Sequence, residues 1–278
     1  MMLGLDYSSS LGLNFNLNLI NDFGSLTTQK RWMISAFGGI IMCKLSYEFT
    51  GIVAPLFYGG FKKLNKAQKL EWKNRGFSTF HALFVAIASL YFHLISDLFD
   101  ENAHEELIIK RRSILSETIL GMSSGYFLSD MAMIIWTYPT LGGFEYILHH
   151  GLSMFAILQS IKNGEAEFYV FMVLFTESTT PFVNLRWYFD VANMKASKLY
   201  LWNGVAMFLG WLVARVVLFG LFFYHMHNHI DQVRQLHIAT FYGLHTIPPV
   251  LAVMNLFWFF KITKGMIRTL TKKKTHTS

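Results

Sequence analysis

Apolar segments of about 20 residues recur along the whole chain, and they constrain the fold more than any other feature of the sequence. A helix of about 20 residues crosses the roughly 30 Å hydrocarbon core of a bilayer. Seven segments meet this length, and their limits are Met33–Phe57, Gly76–Ile95, Thr118–Tyr138, Gly143–Ile161, Phe168–Tyr188, Leu201–His225 and Ile238–Phe260. The sequence therefore predicts an all-α fold, a polytopic membrane helical bundle of about seven transmembrane helices. Six spans are possible, because Lys44 and Glu48 interrupt the first segment and the fourth is short.

The composition excludes a soluble protein, since 53% of the residues are hydrophobic and only 15% are charged. We predict one membrane domain with short tails: an N-terminal tail over residues 1–32, a first span and basic cytosolic loop over 33–75, a membrane domain over 76–264 and a basic tail over 265–278. The net charge of +7 requires no nucleic acid as a partner, because basic loops beside anionic lipids account for it. Membrane lipids are the expected partners, and the oligomeric state stays open.

Lysine and arginine set the orientation, because short loops rich in these residues tend to stay in the cytosol. The loop after the first span contains Lys62, Lys63, Lys66, Lys69, Lys73 and Arg75. Lys195 and Lys198 follow the fifth span, and a lysine-rich tail follows the last. With seven spans these three regions share one side. We therefore predict a multi-pass protein with a cytosolic C-terminus.

Ionisable residues inside the spans point to a functional site, because such groups are costly in a bilayer and usually face a shared interior. His149 and His150 lie in the fourth span, Asp130 in the third and Glu177 in the fifth. A histidine beside a carboxylate is the arrangement of general acid–base catalysis, and histidine also acts as a nucleophile. We predict these four residues as catalytic. The alternative is that they pair only to hold the helices together.

Further polar residues are predicted to bind substrate, two at similar depth in the fifth span, one nearer its cytosolic edge and one deeper in the sixth span. These are Thr180, Asn184, Arg186 and Arg215. Pro181 is expected to kink the fifth span just beyond Glu177, because proline removes a backbone donor. Thr179 and Thr180 are candidates to satisfy the freed carbonyls.

A metal site is not predicted, although His225, His227 and His229 lie close together in the sequence. His225 and His229 would share a helix face, but we expect no acidic partner beside them to complete a ligand set, and they lie at a membrane edge. The single cysteine, Cys43, provides no thiolate cluster. We therefore predict no metal and no resident cofactor.

The most specific motifs lie between Gly125 and Trp187. They are Gly-Tyr-Phe-Leu-Ser-Asp at 125–130, Tyr-Pro at 138–139, Leu-His-His at 148–150 and Thr-Glu-Ser-Thr-Thr-Pro-Phe-Val-Asn-Leu-Arg-Trp at 176–187. Together they resemble the TLC domain family, which includes the ceramide synthases, and the likeness runs from about Gly76 to Lys264. The last motif looks closest to the small TLC domain-containing proteins of this family.

The resemblance implies an endoplasmic reticulum membrane protein with an acyl-chain cavity, in which His149 and His150 are placed like the paired histidines of ceramide synthases. Those enzymes follow the pair with a Leu-His-Asp-x-x-Asp-Pro stretch. Here Thr176 replaces its histidine, Glu177 its first acid and Thr180 its second, which argues against standard ceramide synthesis.

Three hypotheses follow. The first is a lipid-binding or lipid-modifying protein that adjusts membrane lipid composition. The second is an acyltransferase that takes acyl-CoA as co-substrate and acts on sphingoid bases or phospholipids. The third is a non-enzymatic cargo or translocation factor, or a transporter.

Overall fold

A computed structural model describes residues 22–103 and 105–275, which contain helices and connecting loops but no strand. The helices are α1 (Thr28–Phe57), α2 (Lys66–Leu94), α3 (Ile114–Trp136), α4 (Phe144–Asn163), α5 (Glu167–Leu174), α6 (Thr180–Val191), α7 (Lys198–Trp211), α8 (Leu218–Asn228), α9 (Ile230–Val233) and α10 (Ile238–Thr275). Most of the predicted N-terminal tail, residues 1–21, lies outside the described residues. The last helix continues through much of the stretch predicted as a C-terminal tail.

Local side chains define several helix starts. At α2, the Asn65 side chain accepts from the backbone N–H of Gln68, and the Gln68 side chain accepts from that of Asn65. Ser113 and Ser116 make the same reciprocal pair at the start of α3. These capping boxes satisfy backbone donors that have no partner within the helix. Helix α4 ends at its C-terminus with Gly164, which adopts a left-handed conformation.

Five helical segments are long and apolar enough to cross a membrane. They are Thr28–Phe57, Lys66–Leu94, Ile114–Trp136, Lys198–Asn228 and Ile238–Thr269. The predicted fourth span coincides with α4, which is less apolar because it includes the histidine pair and further polar side chains. The predicted fifth span coincides with α5 and α6, which a 3₁₀ segment separates. The expected all-α polytopic membrane fold is confirmed.

Small residues bring α1 and α3 into close contact. A side chain at Gly125 would fall against the carbonyl oxygen of Ala36, and one at Gly39 against that of Met122. Gly121 lies one turn before Gly125, so the two form a Gly-x-x-x-Gly spacing along α3. Such spacing lets two helix backbones approach closely within a membrane.

Two segments of irregular backbone interrupt the α-helices, at the level where polar side chains from several helices meet. Phe175–Thr179 forms 3₁₀ turns between α5 and α6, and Leu212–Val217 forms π-helical turns between α7 and α8. Pro181 lies in the first turn of α6, as expected for a residue that breaks the preceding helix. The Thr179 hydroxyl donates a hydrogen bond to the Thr176 carbonyl. The Thr180 hydroxyl instead donates to the side chain of Glu177.

Candidate functional site

The eight predicted site residues line one polar cavity, which is bounded by α2, α3, α4, α6, α7, α10 and the two irregular segments. Those residues are Asp130, His149, His150, Glu177, Thr180, Asn184, Arg186 and Arg215. The cavity contains about 360 Å³ of space that water-sized molecules can occupy. The structure therefore brings the predicted residues together, while their catalytic and binding roles stay predictions.

His150 contacts the carboxylate of Asp130. Its Nδ1 lies 3.2 Å from Asp130 Oδ2, and both side chains are largely buried. The other carboxylate oxygen of Asp130 accepts a 2.6 Å hydrogen bond from the Asn74 side chain. Packing of the His150 ring edge-to-face against Phe127 further restricts its orientation. His150 Nδ1 is at ion-pair distance from Asp130 but outside hydrogen-bond geometry, and Nε2 forms no hydrogen bond with a residue that the structure describes.

His149 faces a different acid. Its Nε2 lies 3.9 Å from Glu177 Oε1, and Arg215 Nη2 lies 3.6 Å from the same oxygen. The Thr180 hydroxyl donates a 2.8 Å hydrogen bond to Glu177 Oε2. Adjacent helical positions differ by about 100°, and the two rings here face different carboxylates. Both nevertheless reach the cavity, each beside its own carboxylate.

Arg215 is held by protein groups on several sides. Its Nε donates to the carbonyl of Thr176 and the hydroxyl of Thr179, and its Nη1 donates to Asn255 Oδ1. The guanidinium also lies over the Trp211 ring, 4.4 Å from its centroid. These contacts fix a positive charge beside Glu177, which offsets the cost of burying that carboxylate.

Asn184 connects α6 to α2. Its side chain donates to the Arg75 carbonyl and to the hydroxyls of Ser78 and Thr79, and its Oδ1 accepts from Arg75 Nη1. Arg186 lies over the Tyr200 ring, 4.1 Å from its centroid, and lines the cavity. The Asn184 amide is therefore fully used in joining the two helices. The Arg186 guanidinium has no carboxylate partner among the described residues.

A second, narrow cavity is mostly apolar and adjoins the polar one. Its lining includes Phe127, Ile157, Val173, Leu244, Ile247 and Leu251. His149 and Glu177 line both cavities. These two side chains therefore lie where a polar compartment meets an apolar one.

Sequence reasoning missed two residues at the start of α2. The basic run before Gly76 predicts a loop, but the helix begins ten residues earlier, at Lys66. Asn74 and Arg75 therefore lie on the helix and line the polar cavity. Asn255, the partner of Arg215, was missed as well. A single polar residue within the apolar run of α10 was the available signal for it.

Comparison with known proteins agrees with the motifs. Residues 71–264 match the TLC domain family. Human TLC domain-containing protein 4 is 31% identical over 230 residues, which cover 82% of this chain and 84% of the human protein. TLC domain-containing protein 4-B of Xenopus laevis is 27% identical, with coverage of 76% and 80%. The protein of the same name from Danio rerio is 24% identical, with coverage of 81% and 86%. The chain therefore belongs to the TLC domain family of multi-pass membrane proteins.

Proposed function

We propose that this protein binds acyl-chain lipids in its two adjoining cavities and thereby adjusts membrane lipid composition. The observation that supports this most directly is the position of His149 and Glu177, which line both cavities. A lipid has the same division, because an apolar chain meets a polar head group at a carbonyl. In the proposed complex the chain occupies the apolar cavity and the carbonyl lies beside these two residues.

Binding selectivity is expected to come from the polar cavity. A lipid chain leaves one apolar medium for another when it enters the protein, so the hydrophobic effect contributes little. Hydrogen bonds and charges at the head group therefore decide which lipid binds. Arg186 and Lys261 both line the polar cavity and have no acidic partner among the described residues, which fits a phosphate or carboxylate in the ligand.

The His150–Asp130 contact favours acyl transfer as a second candidate function. Asp130 orients the imidazole and stabilises its protonated form, so the free Nε2 can take a proton from an acceptor hydroxyl or amine. That acceptor oxygen or nitrogen then forms a bond to the acyl carbon of acyl-CoA. The carbon–sulfur bond breaks, and the thiolate takes up the proton from His150. Under this proposal His149 and Glu177 position the acyl carbonyl.

A single preparation tests both proposals. The full chain is purified in mild detergent, and mass spectrometry identifies the lipids that co-purify. The same sample is then incubated with acyl-CoA and either a long-chain base or a lysophospholipid, beside His150→Ala and Asp130→Asn variants. Acyl transfer predicts a product that both variants lose. Bound lipid without turnover supports lipid binding alone, and absence of both lipid and product would contradict both proposals.

The matched control is His227→Ala, because the His227 side chain is exposed and lies away from both cavities. It should retain wild-type lipid content and any turnover. Loss of turnover in this control would show that histidine removal acts through stability rather than through the site. Size-exclusion profiles of all variants establish that each is folded.

We further propose that the protein resides in the endoplasmic reticulum membrane with its C-terminus in the cytosol. Membership of the TLC domain family supports the first point, and the basic residues of the loop between α1 and α2 and of the C-terminal end support the second. In this topology the polar cavity, with Arg186 and Lys261, lies toward the cytosolic side. Acyl-CoA is a cytosolic, anionic co-substrate and would enter from that side.

A further inference from the structure

Two histidines and a carboxylate converge at the end of the bundle opposite the polar cavity. Glu101 lies in the loop between α2 and α3, and His225 and His229 lie at the end of α8. Glu101 Oε1 is 3.3 Å from His225 Nε2 and 3.1 Å from His229 Nε2. The three atoms lie within 4.8 Å of one another. The sequence did not predict this acidic partner, because Glu101 comes from a distant part of the chain.

Hydrogen bonding determines which nitrogen of His229 holds the proton. Its Nδ1 lies 3.0 Å from the backbone carbonyl of His225, and a carbonyl can only accept. The proton of the neutral ring is therefore on Nδ1, and Nε2 presents a lone pair. That lone pair faces a carboxylate oxygen at 3.1 Å, so two acceptors oppose each other. A cation between them, or a second proton on the ring, is needed to make this contact favourable.

His225 is also held by a neighbouring group, although this group is a hydroxyl that can either donate or accept. Its Nδ1 lies 3.1 Å from the Tyr169 hydroxyl, while Nε2 points to Glu101. Metal-binding histidines commonly have the second nitrogen held by such a partner, which fixes the ring and raises its basicity. The two imidazole rings stack with centroids 4.1 Å apart. The rings are tilted by only 14°, so their in-plane lone pairs run nearly parallel, and binding one ion through both Nε2 atoms requires the rings to turn toward each other.

The two separations from Glu101 also fit a metal ion. Zinc binds imidazole nitrogen and carboxylate oxygen at about 2.0–2.2 Å in tetrahedral geometry, which separates neighbouring ligand atoms by roughly 3.3–3.6 Å. The two observed separations from Glu101 are close to this range. Glu101 is exposed, so an ion can enter from solvent and a water molecule can complete the coordination. Imidazole nitrogen favours zinc over calcium or magnesium, which prefer oxygen ligands.

We propose that Glu101, His225 and His229 form a zinc site that fastens the loop between α2 and α3 to the end of α8. The proposal is independent of the lipid-binding cavities. Its expected consequence is structural, because binding of a metal to the folded protein alone raises stability by mass action.

The test uses the full chain in detergent, stripped with EDTA and then titrated with zinc chloride. We expect one zinc ion per chain by elemental mass spectrometry and a higher melting temperature with zinc. Glu101→Gln and His229→Ala should weaken binding by roughly 100-fold or more, and Tyr169→Phe by roughly tenfold, since loss of an orienting partner typically costs 10–100-fold. His227→Ala should bind zinc as the wild type does, because its side chain is exposed and outside the cluster.

Two outcomes would overturn the proposal. One is no stoichiometric zinc and no change in melting temperature in the stripped wild-type protein, which would favour a protonated histidine in the ion's place. The other is equal zinc binding by the wild type and Glu101→Gln. A visible spectrum with cobalt chloride provides a measurement that needs no variant, because tetrahedral nitrogen and oxygen coordination gives intense absorption bands.

Discussion

At the scale of single residues, the buried charges of Glu177 and Arg215 depend on each other. Replacing Arg215 by methionine leaves Glu177 as an uncompensated buried carboxylate, and removing one partner of a buried pair costs about 3–5 kcal/mol. We therefore expect Arg215→Met to lower the melting temperature strongly. Adding Glu177→Gln removes the remaining charge and should recover part of the loss. Thermal unfolding in the same detergent measures both effects.

The comparison for this pair is Arg234→Met. Arg234 is exposed and lies 3.6 Å from Asp231, which is also exposed. Ion pairs at the surface contribute little, so this variant should melt close to the wild type. If the double variant is as unstable as Arg215→Met alone, the contacts of Arg215 with Thr176 and Asn255, rather than the charge of Glu177, are what stabilise this region.

At the scale of helices, the contact between α1 and α3 depends on glycine. Gly125→Ala places a methyl group against the backbone of Ala36, which cannot rotate away as a side chain can. Such overpacking typically costs about 1–3 kcal/mol. We expect a lower melting temperature and easier proteolysis of α1.

Gly220 gives the matched control, because nothing lies within 4 Å of a side chain added there. Gly220→Ala should leave stability unchanged or raise it, since alanine favours a helix over glycine by about 0.8–1.0 kcal/mol. The same substitution is thus expected to have opposite signs at the two positions. Equal effects would mean that the close approach of α1 and α3 does not limit stability.

The helices were predictable from sequence because their apolar runs match the thickness of a bilayer. The site was predictable in part, because buried ionisable residues in separate spans must find partners. Asn74 and Arg75 were missed, since a basic run looks the same whether it forms a loop or the first turns of a helix. Glu101 was missed for another reason, because its approach to His225 depends on how distant segments pack.

At the scale of the whole molecule, the orientation in the membrane is the prediction with the widest consequences. The chain contains no Asn-x-Ser/Thr acceptor, so any N-glycosylation can be assigned to the inserted acceptor. An Asn-Gly-Thr acceptor with flexible flanks after Glu105 should be glycosylated in microsomes, because that loop faces the lumen in the proposed topology. The same insert after Gly60 should stay unmodified, because in that topology the basic loop between α1 and α2 faces the cytosol. A shift in mass that glycosidase reverses measures the outcome. Modification after Gly60 alone would invert the topology, placing the polar cavity on the lumenal side and removing cytosolic acyl-CoA as its co-substrate.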